Sequence, residues 1–300
     1  MNLLKTWAVL GATGVAMGLA MPLGKLAVNH GVAPLTFVMV PALISGVLLA
    51  GLAWWRHGPP ADLHEFWRFG LVAGLLGNAV PNTLTAWLSG DAGASFSAIA
   101  FTLPPVFTLG LMLVLGWERA SVTRGAAVTL GLAGALWLAA SRLTGGDLSV
   151  AGAVALFVIP ASLGAGNVYR ARWLPVGLPA EWLGAAMSLG AFTLLLPVWI
   201  WSPGAYASFD AAGWPFLAAQ VAASTVGAVL FFHLQRRAEP VLMSFLGYAM
   251  ALTAVLAGAF LLGERLTWQL LPAGLLIMAG FWLLQRPAAQ FPSTVATPQA

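Results

Sequence analysis

Residues 115–137, LGWERASVTRGAAVTLGLAGALW, and residues 261–283, LLGERLTWQLLPAGLLIMAGFWL, decide how this chain is organised. At a constant shift of 146 residues, Glu118-Arg119 falls on Glu264-Arg265, Ala127 on Ala273, Leu130 on Leu276 and Gly134 on Gly280. Alanine and leucine coincidences are common in an apolar chain, so the Glu-Arg pair with a glycine 16 residues after the glutamate is the informative part. Carried backwards, the shift also puts Leu88 on Leu234 and Ala92 on Ala238. It is close to half of the 300 residues, so the chain reads as two copies of one unit, about 1–143 and 147–286.

Composition says what solvent surrounds those units. Sixty per cent of the residues are hydrophobic and 7% are charged, against roughly 25% charged in soluble domains. So few charges cannot clothe a soluble fold of this size, and lipid must face much of the surface. The charges fall in groups separated by ten charge-free gaps, the shortest 17 residues (125–141) and the longest 30 (26–55). A membrane-crossing helix takes about 20 apolar residues, in a range of roughly 17–25. Each gap therefore fits one helix and none fits two. Runs such as LMLVLG (111–116) do not alternate apolar and polar, which excludes the pattern of a transmembrane barrel. The expectation is an all-α membrane protein with ten transmembrane helices. The first is read as a retained span and not a secretory signal, since nine more follow it. The charge-free, proline-interrupted tail, 287–300, is expected to be disordered.

With the N-terminus on the cytoplasmic side, the inside segments hold Lys5, Arg56, Arg68, Arg119, Arg124, Arg170, Arg172, Arg236, Arg237 and Arg286. The outside segments keep Lys25, Arg142 and Arg265. That positive-inside bias puts both termini in the cytoplasm, N-in/C-in. It also accounts for a pI near 10.1 without nucleic acid as a partner, because the basic residues form no continuous patch. Five spans per unit is an odd number, so the second unit enters the membrane upside down relative to the first. Inverted repeats of this kind recur in secondary transporters, whose substrate site lies near the midplane between the repeats. Tryptophans near predicted span ends, Trp182 among them, suit the headgroup level.

The Glu-Arg motifs, the glycine after each and the ten-span count resemble the EamA-type repeat of the drug/metabolite transporter superfamily. Within it the chain looks most like the YddG-type exporters of aromatic and neutral amino acids. The resemblance implies an inner-membrane carrier of bacterial type that exports such metabolites by alternating access. In that architecture four helices of each half enclose the path and the fifth lies outside it. Many relatives carry a tryptophan in the middle of the first span, where this chain has VAMGLAMPLGK with Met17 and Met21.

Polar residues in the apolar gaps are the candidates for the substrate path. LLGNAVPNTLTAW (75–87) sets Asn78 and Asn82 on one helix face, with Pro81 between them as a kink that frees a carbonyl. The repeat shift carries Asn78 to Ser224, with Gln220 one turn away. Ser244 and Tyr248 stand at i, i+4 in the ninth span, and Tyr248 falls on Thr102 of FTLPPVF, where Pro104 and Pro105 interrupt the fourth. Met17, Met21 and Phe101 offer an apolar wall. For each polar residue two readings stand: it lines the path, or it holds helices together by hydrogen bonds worth about 0.6–2 kcal/mol. Pro104 and Pro105 read as a hinge or as a static kink, and the methionines as wall or as packing. Gly14 with Gly18 and Gly70 with Gly74 have the spacing of close helix approach.

No Asp, Glu, Lys or Arg is expected deep in any span, which favours a net-neutral substrate carried without a coupling ion. No cofactor and no metal site are expected: there is no cysteine and no HExxH, and the four histidines are scattered. The partners expected are a small-molecule substrate, an amino acid first, and membrane lipid, with no nucleic acid and no obligate protein partner. Broad efflux of drugs or metabolites and carriage of another neutral metabolite are the alternatives. A membrane-embedded enzyme or a scaffold is the remoter one, since no nucleophile–base pair or acidic dyad is present.

Overall fold

A computed structural model describes residues 3–92, 94–117, 121–144, 149–202, 211–237, 240–264, 268 and 270–284. The tail 287–300 and Glu118 of the first motif lie outside them. The described residues are all-α. Thirteen α-helices follow one another: α1 Leu3–Gly18, α2 Ala20–Asn29, α3 Pro34–His57, α4 Leu63–Gly74, α5 Val80–Ala92, α6 Ala94–Ile99 and α7 Pro104–Val114. Then come α8 Val122–Thr144, α9 Val150–Trp173, α10 Ala180–Trp201, α11 Trp214–Arg237, α12 Pro240–Leu262 and α13 Leu270–Leu284. A π-turn, Leu75–Ala79, joins α4 to α5, and a 3₁₀ turn, Ala100–Thr102, precedes α7.

Five helical segments are long and apolar enough to cross a membrane: Trp7–Asn29, Pro34–His57, Val150–Trp173, Ala180–Trp201 and Ala211–Arg236. Shorter apolar helices include Pro104–Val114 and Leu246–Leu262. Two of the other segments are interrupted where the sequence puts proline. Val80 N–H bonds to Leu75 O, five residues back, immediately before Pro81, and the 3₁₀ turn immediately precedes Pro104-Pro105. Proline has no N–H to give and crowds the preceding turn, so the chain rewinds just before it.

Small residues let the helices touch backbone to backbone. A methyl group added at Gly14 would meet Ala249 of α12, and one at Gly70 would meet the Ala186 carbonyl of α10. Gly74 lies against the backbone of Met187 and Ala191, and Gly190 of α10 lies against the Gly70 carbonyl in return. Both small-residue pairs therefore serve helix contact. The glycines of the opening stretch are reciprocal: a Cβ at Gly134 would lie 2.9 Å from Ala273 O, and one at Gly280 would lie 2.6 Å from Ala127 O. Residues aligned by the repeat thus meet one another across an antiparallel α8–α13 pair. Elsewhere α3 packs on α10, α4 on α10 and α11 on α3, α1 on α12 and α7 on α9, and α1 with α2 on α11 and α5 on α9.

The glycine in each Glu-Arg motif is a helix stop. Gly116 and Gly263 have φ of +70° and +64°, and beyond the first, Trp117 N–H closes on Met112 O at 2.9 Å. A left-handed residue at a helix end is most readily glycine. Past Gly263, Glu264 forms an ion pair with Lys25 of α2 at 2.9 Å.

Aromatic and aliphatic clusters mark the two ends of the bundle. Phe37, Val38, Ala27 and Leu217 pack together at one end. Leu49, Ala53, Phe69, Leu183 and Phe232 pack at the other. The tryptophans expected at span ends are exposed there, with one correction. Trp182 is 5% exposed, donates its indole N–H to Gly58 O at 3.2 Å and sets its ring edge-on to Phe66. It holds the α3–α4 connection onto α10 and does not face headgroups.

Candidate functional site

Between the two end clusters lies a cavity of about 840 Å³, within the size range of small-molecule sites. Residues from both sequence halves line it. Met17, Met21, Phe37, Phe101, Leu246 and Met250 make its apolar wall. Asn78 and Asn82, Gln220 and Ser224, and Thr108 and Asn167 are among its uncharged polar lining. Pro104 and Pro105 also line it. Pro81, Thr102 and Tyr248 do not: Pro81 is buried in α5, and the Thr102 hydroxyl donates to Ile99 O at 2.8 Å. Ser244 lies on α12, with its side chain outside the described ones.

Four of these polar groups form two bonded pairs, one on the α4–α5 stretch and one on α11. Asn82 Nδ2 donates to Asn78 Oδ1 at 2.7 Å, and Gln220 Nε2 donates to Ser224 Oγ at 3.2 Å. Each pair spans one turn, so each fixes its own rotamers and still presents amide groups to the cavity. Gln220 is 8% exposed and its Oε1 has no partner among the described residues, nor does Gln235 Oε1 in the same lining. The π-turn before Pro81 gives its own carbonyl a use. Because Val80 N–H goes to Leu75 O, Leu76 O is left to accept the Ser162 hydroxyl of α9 at 2.9 Å.

Arg170 bears on the expectation that no charge lies deep in a span, because its side chain turns inward from near the end of α9. Sequence position placed it in a cytoplasmic segment, one turn from the end of α9. It is 4% exposed and lines the cavity. A long side chain on a helix leans back toward the N-terminus, and here the guanidinium reaches the level of Gly166 and Gly77. A methyl group at Gly77 would lie 2.9 Å from Arg170 Nη1, and one at Gly166 would lie 3.2 Å from it. Arg170 Nη2 donates to Asn167 Oδ1 at 2.6 Å, Asn167 in turn donates to Thr108 Oγ1 at 3.2 Å, and the guanidinium carbon sits 5.5 Å over the Phe231 ring. The missed signal was the pair of glycines, whose empty positions make room for a large head group.

The comparisons with known proteins bear on the chain from two sides. Residues 5–140 match the EamA-like transporter family. The EamA match runs from α1 into α8, over the first of the two units read from the sequence. A solved structure titled "Crystal structure of protein" is similar in fold, with a TM-score of 0.61 at 19% identity, over 93% of this chain and 96% of its own. No curated protein matches this chain in sequence. The EamA match and the long apolar helices are consistent with a helical membrane transport protein.

Proposed function

We propose that this chain is a carrier of two oppositely inserted five-helix halves, 1–143 and 147–286. In this reading it has ten spans, lies in a bacterial-type inner membrane with both termini cytoplasmic, and exports neutral amino acids with aromatic or hydrophobic side chains by alternating access. The observation that carries the proposal is the cavity: both halves line it, and it sets an apolar wall against two bonded polar pairs. A substrate with an apolar side chain and a polar amino-acid head matches both surfaces.

Several contacts support the two-half reading. Exchanging the halves turns the α1–α12 contact into α9–α7, α11 on α1 and α2 into α5 on α9, and α4–α10 into α11–α3. The reciprocal Gly134–Ala273 and Gly280–Ala127 approaches are what a pseudo-twofold axis through α8 and α13 requires. An in-plane axis of this kind places a central site between two alternately opening mouths.

The test is counterflow of labelled phenylalanine, leucine, alanine and lysine in liposomes holding the purified chain. Phenylalanine and leucine should exchange fastest. An absence of flux for all four, in protein that still unfolds cooperatively, would remove the reading.

A further inference from the structure

The geometry points to Arg170 as the anchor for a carboxylate, so that a single negatively charged, planar oxyanion group is what this cavity demands of its ligand. The inference rests on the proposed carrier function for its context, but its evidence is local. A guanidinium has five N–H donors. At Arg170 one goes to Asn167 Oδ1, and Nε–H has no partner among the described residues. No described carboxylate lies within ion-pairing distance of it, whereas Lys25 and Arg56 both have one. A buried cation without a counter-ion is strongly disfavoured. Its retention at 4% exposure therefore calls for a partner that arrives from the cavity.

The surroundings shape what that partner can be. Phe231 covers one face of the guanidinium, so a ligand meets its edge. The edge of the fork matches the two oxygens of a carboxylate in one plane. Gly77 and Gly166 leave the head group its space, and Asn167, tied to Thr108, holds it at that level. Phosphate shares the oxyanion chemistry, but Arg170 is the one charged side chain among the described residues that line the cavity. One positive charge balances a monoanionic carboxylate and leaves a dianionic phosphate uncompensated. For a zwitterion, Gln235 Oε1, one turn beyond Phe231 on α11 and without a partner among the described residues, remains as an acceptor for the ammonium.

The experiment measures ligand-induced thermal stabilisation of the full chain in detergent. Its probes are 3-phenylpropanoate, 3-phenylpropanamide, phenethylamine and inorganic phosphate, against the parent and Arg170→Gln. We expect 3-phenylpropanoate to stabilise the parent and the amide and amine to bind roughly ten- to hundredfold more weakly, as loss of a charge-assisted hydrogen bond implies. Arg170→Gln should abolish the difference between acid and amide. If that variant does not fold, the acid–amide comparison on the parent decides alone. Equal stabilisation by acid and amide, no stabilisation by the acid, or stronger stabilisation by phosphate overturns the assignment, the last in favour of a phosphate or lipid headgroup. In counterflow, discrimination between acid and amide in detergent without flux of any amino acid sinks the carrier reading and leaves the anchor. Flux of phenylalanine and phenylalaninamide at equal rates sinks the anchor and leaves the carrier.

Discussion

The two helical stretches that carry the bonded polar pairs are built differently. Asn78 and Asn82 stand on a backbone that rewinds through a π-turn before Pro81, whereas Gln220 and Ser224 stand on α11, which runs unbroken from Trp214 to Arg237. Both pairs span one turn, both are internally bonded and both line the same cavity. The rewound backbone is therefore not what presents a polar pair. Its distinctive products lie across the helix interface: Leu76 O is freed for Ser162, and Gly77 is set against the Arg170 head group. The same contrast recurs at α6–α7, interrupted before Pro104, and its counterpart α12, continuous from Pro240 to Leu262. Two stretches of the first half are interrupted where they meet the cavity, and their counterparts in the second half are continuous.

The largest test of this contrast strikes the contact that lets the bent helix lie close. Gly190→Ala would drive a methyl group into the Gly70 carbonyl. Backbone cannot yield there as a side-chain tip can, so about 3 kcal/mol of stability should be lost, seen as a lower unfolding midpoint in detergent. Gly110→Ala, with nothing within 4 Å of its added methyl, should leave the midpoint in place. An equal fall in both variants would refute the close-contact account of α4 on α10.

Pro81→Ala probes the rewound backbone itself. It restores an N–H for Gly77 O and removes the reason for the π-turn, which would rotate Asn78 and Gly77 relative to Arg170. We expect amino-acid counterflow to fall about tenfold, or about 1.4 kcal/mol, in protein that still unfolds cooperatively. Unchanged flux would show that the π-turn is packing and not part of the site. Ser162→Ala should be milder. It leaves Leu76 O buried without its donor, a loss of about 1 kcal/mol, and the parallel change Ser224→Ala on the straight helix should remove less.

The smallest effect belongs to the start of the bent stretch. The Asp62 carboxylate caps α4 by accepting from His64 N–H at 2.8 Å and Glu65 N–H at 3.1 Å. The Glu65 N–H, with His64 in a lesser part, holds its carboxyl below the usual carboxylate range against a weaker opposing pull from burial. A lowered folded-state value means that the contribution is full above the unfolded value, about 3.9, and is lost as pH falls through the lower folded one. Thermal midpoints should therefore drop slightly less between pH 5 and pH 2 in Asp62→Asn than in the parent. An identical pH profile for the two would place the cap's role elsewhere.

Much of this was legible in the residues. A chain with 7% charged residues must satisfy its backbone within helices if lipid is its solvent, and Pro81 and Pro104 mark two interruptions, whereas Pro41, Pro160 and Pro197 stand inside continuous helices. Asn78, Asn82, Gln220 and Ser224 were readable as cavity candidates because amides and hydroxyls in an apolar run need a partner or a cavity. Gly134 and Gly280 were readable as a repeat, while their α8–α13 contact, and the helix stops at Gly116 and Gly263, needed neighbours and φ values. Trp182 and Arg170 were misread for one reason. Both stand within a turn or so of a helix end, where a side chain can turn outward to the interface or inward to the core. Sequence position does not state which.

The sequence by itself determined the helical class, the apolar lengths, the interruption at Pro81 and the pairing of polar residues at i, i+4. These depend on local spacing and on the free energy of moving backbone and side chains out of water. Only the tertiary structure decided that Arg170 points inward. That direction is set by the rotation of α9 against the π-turn, by the space at Gly77 and Gly166 and by the Asn167 carbonyl that receives it.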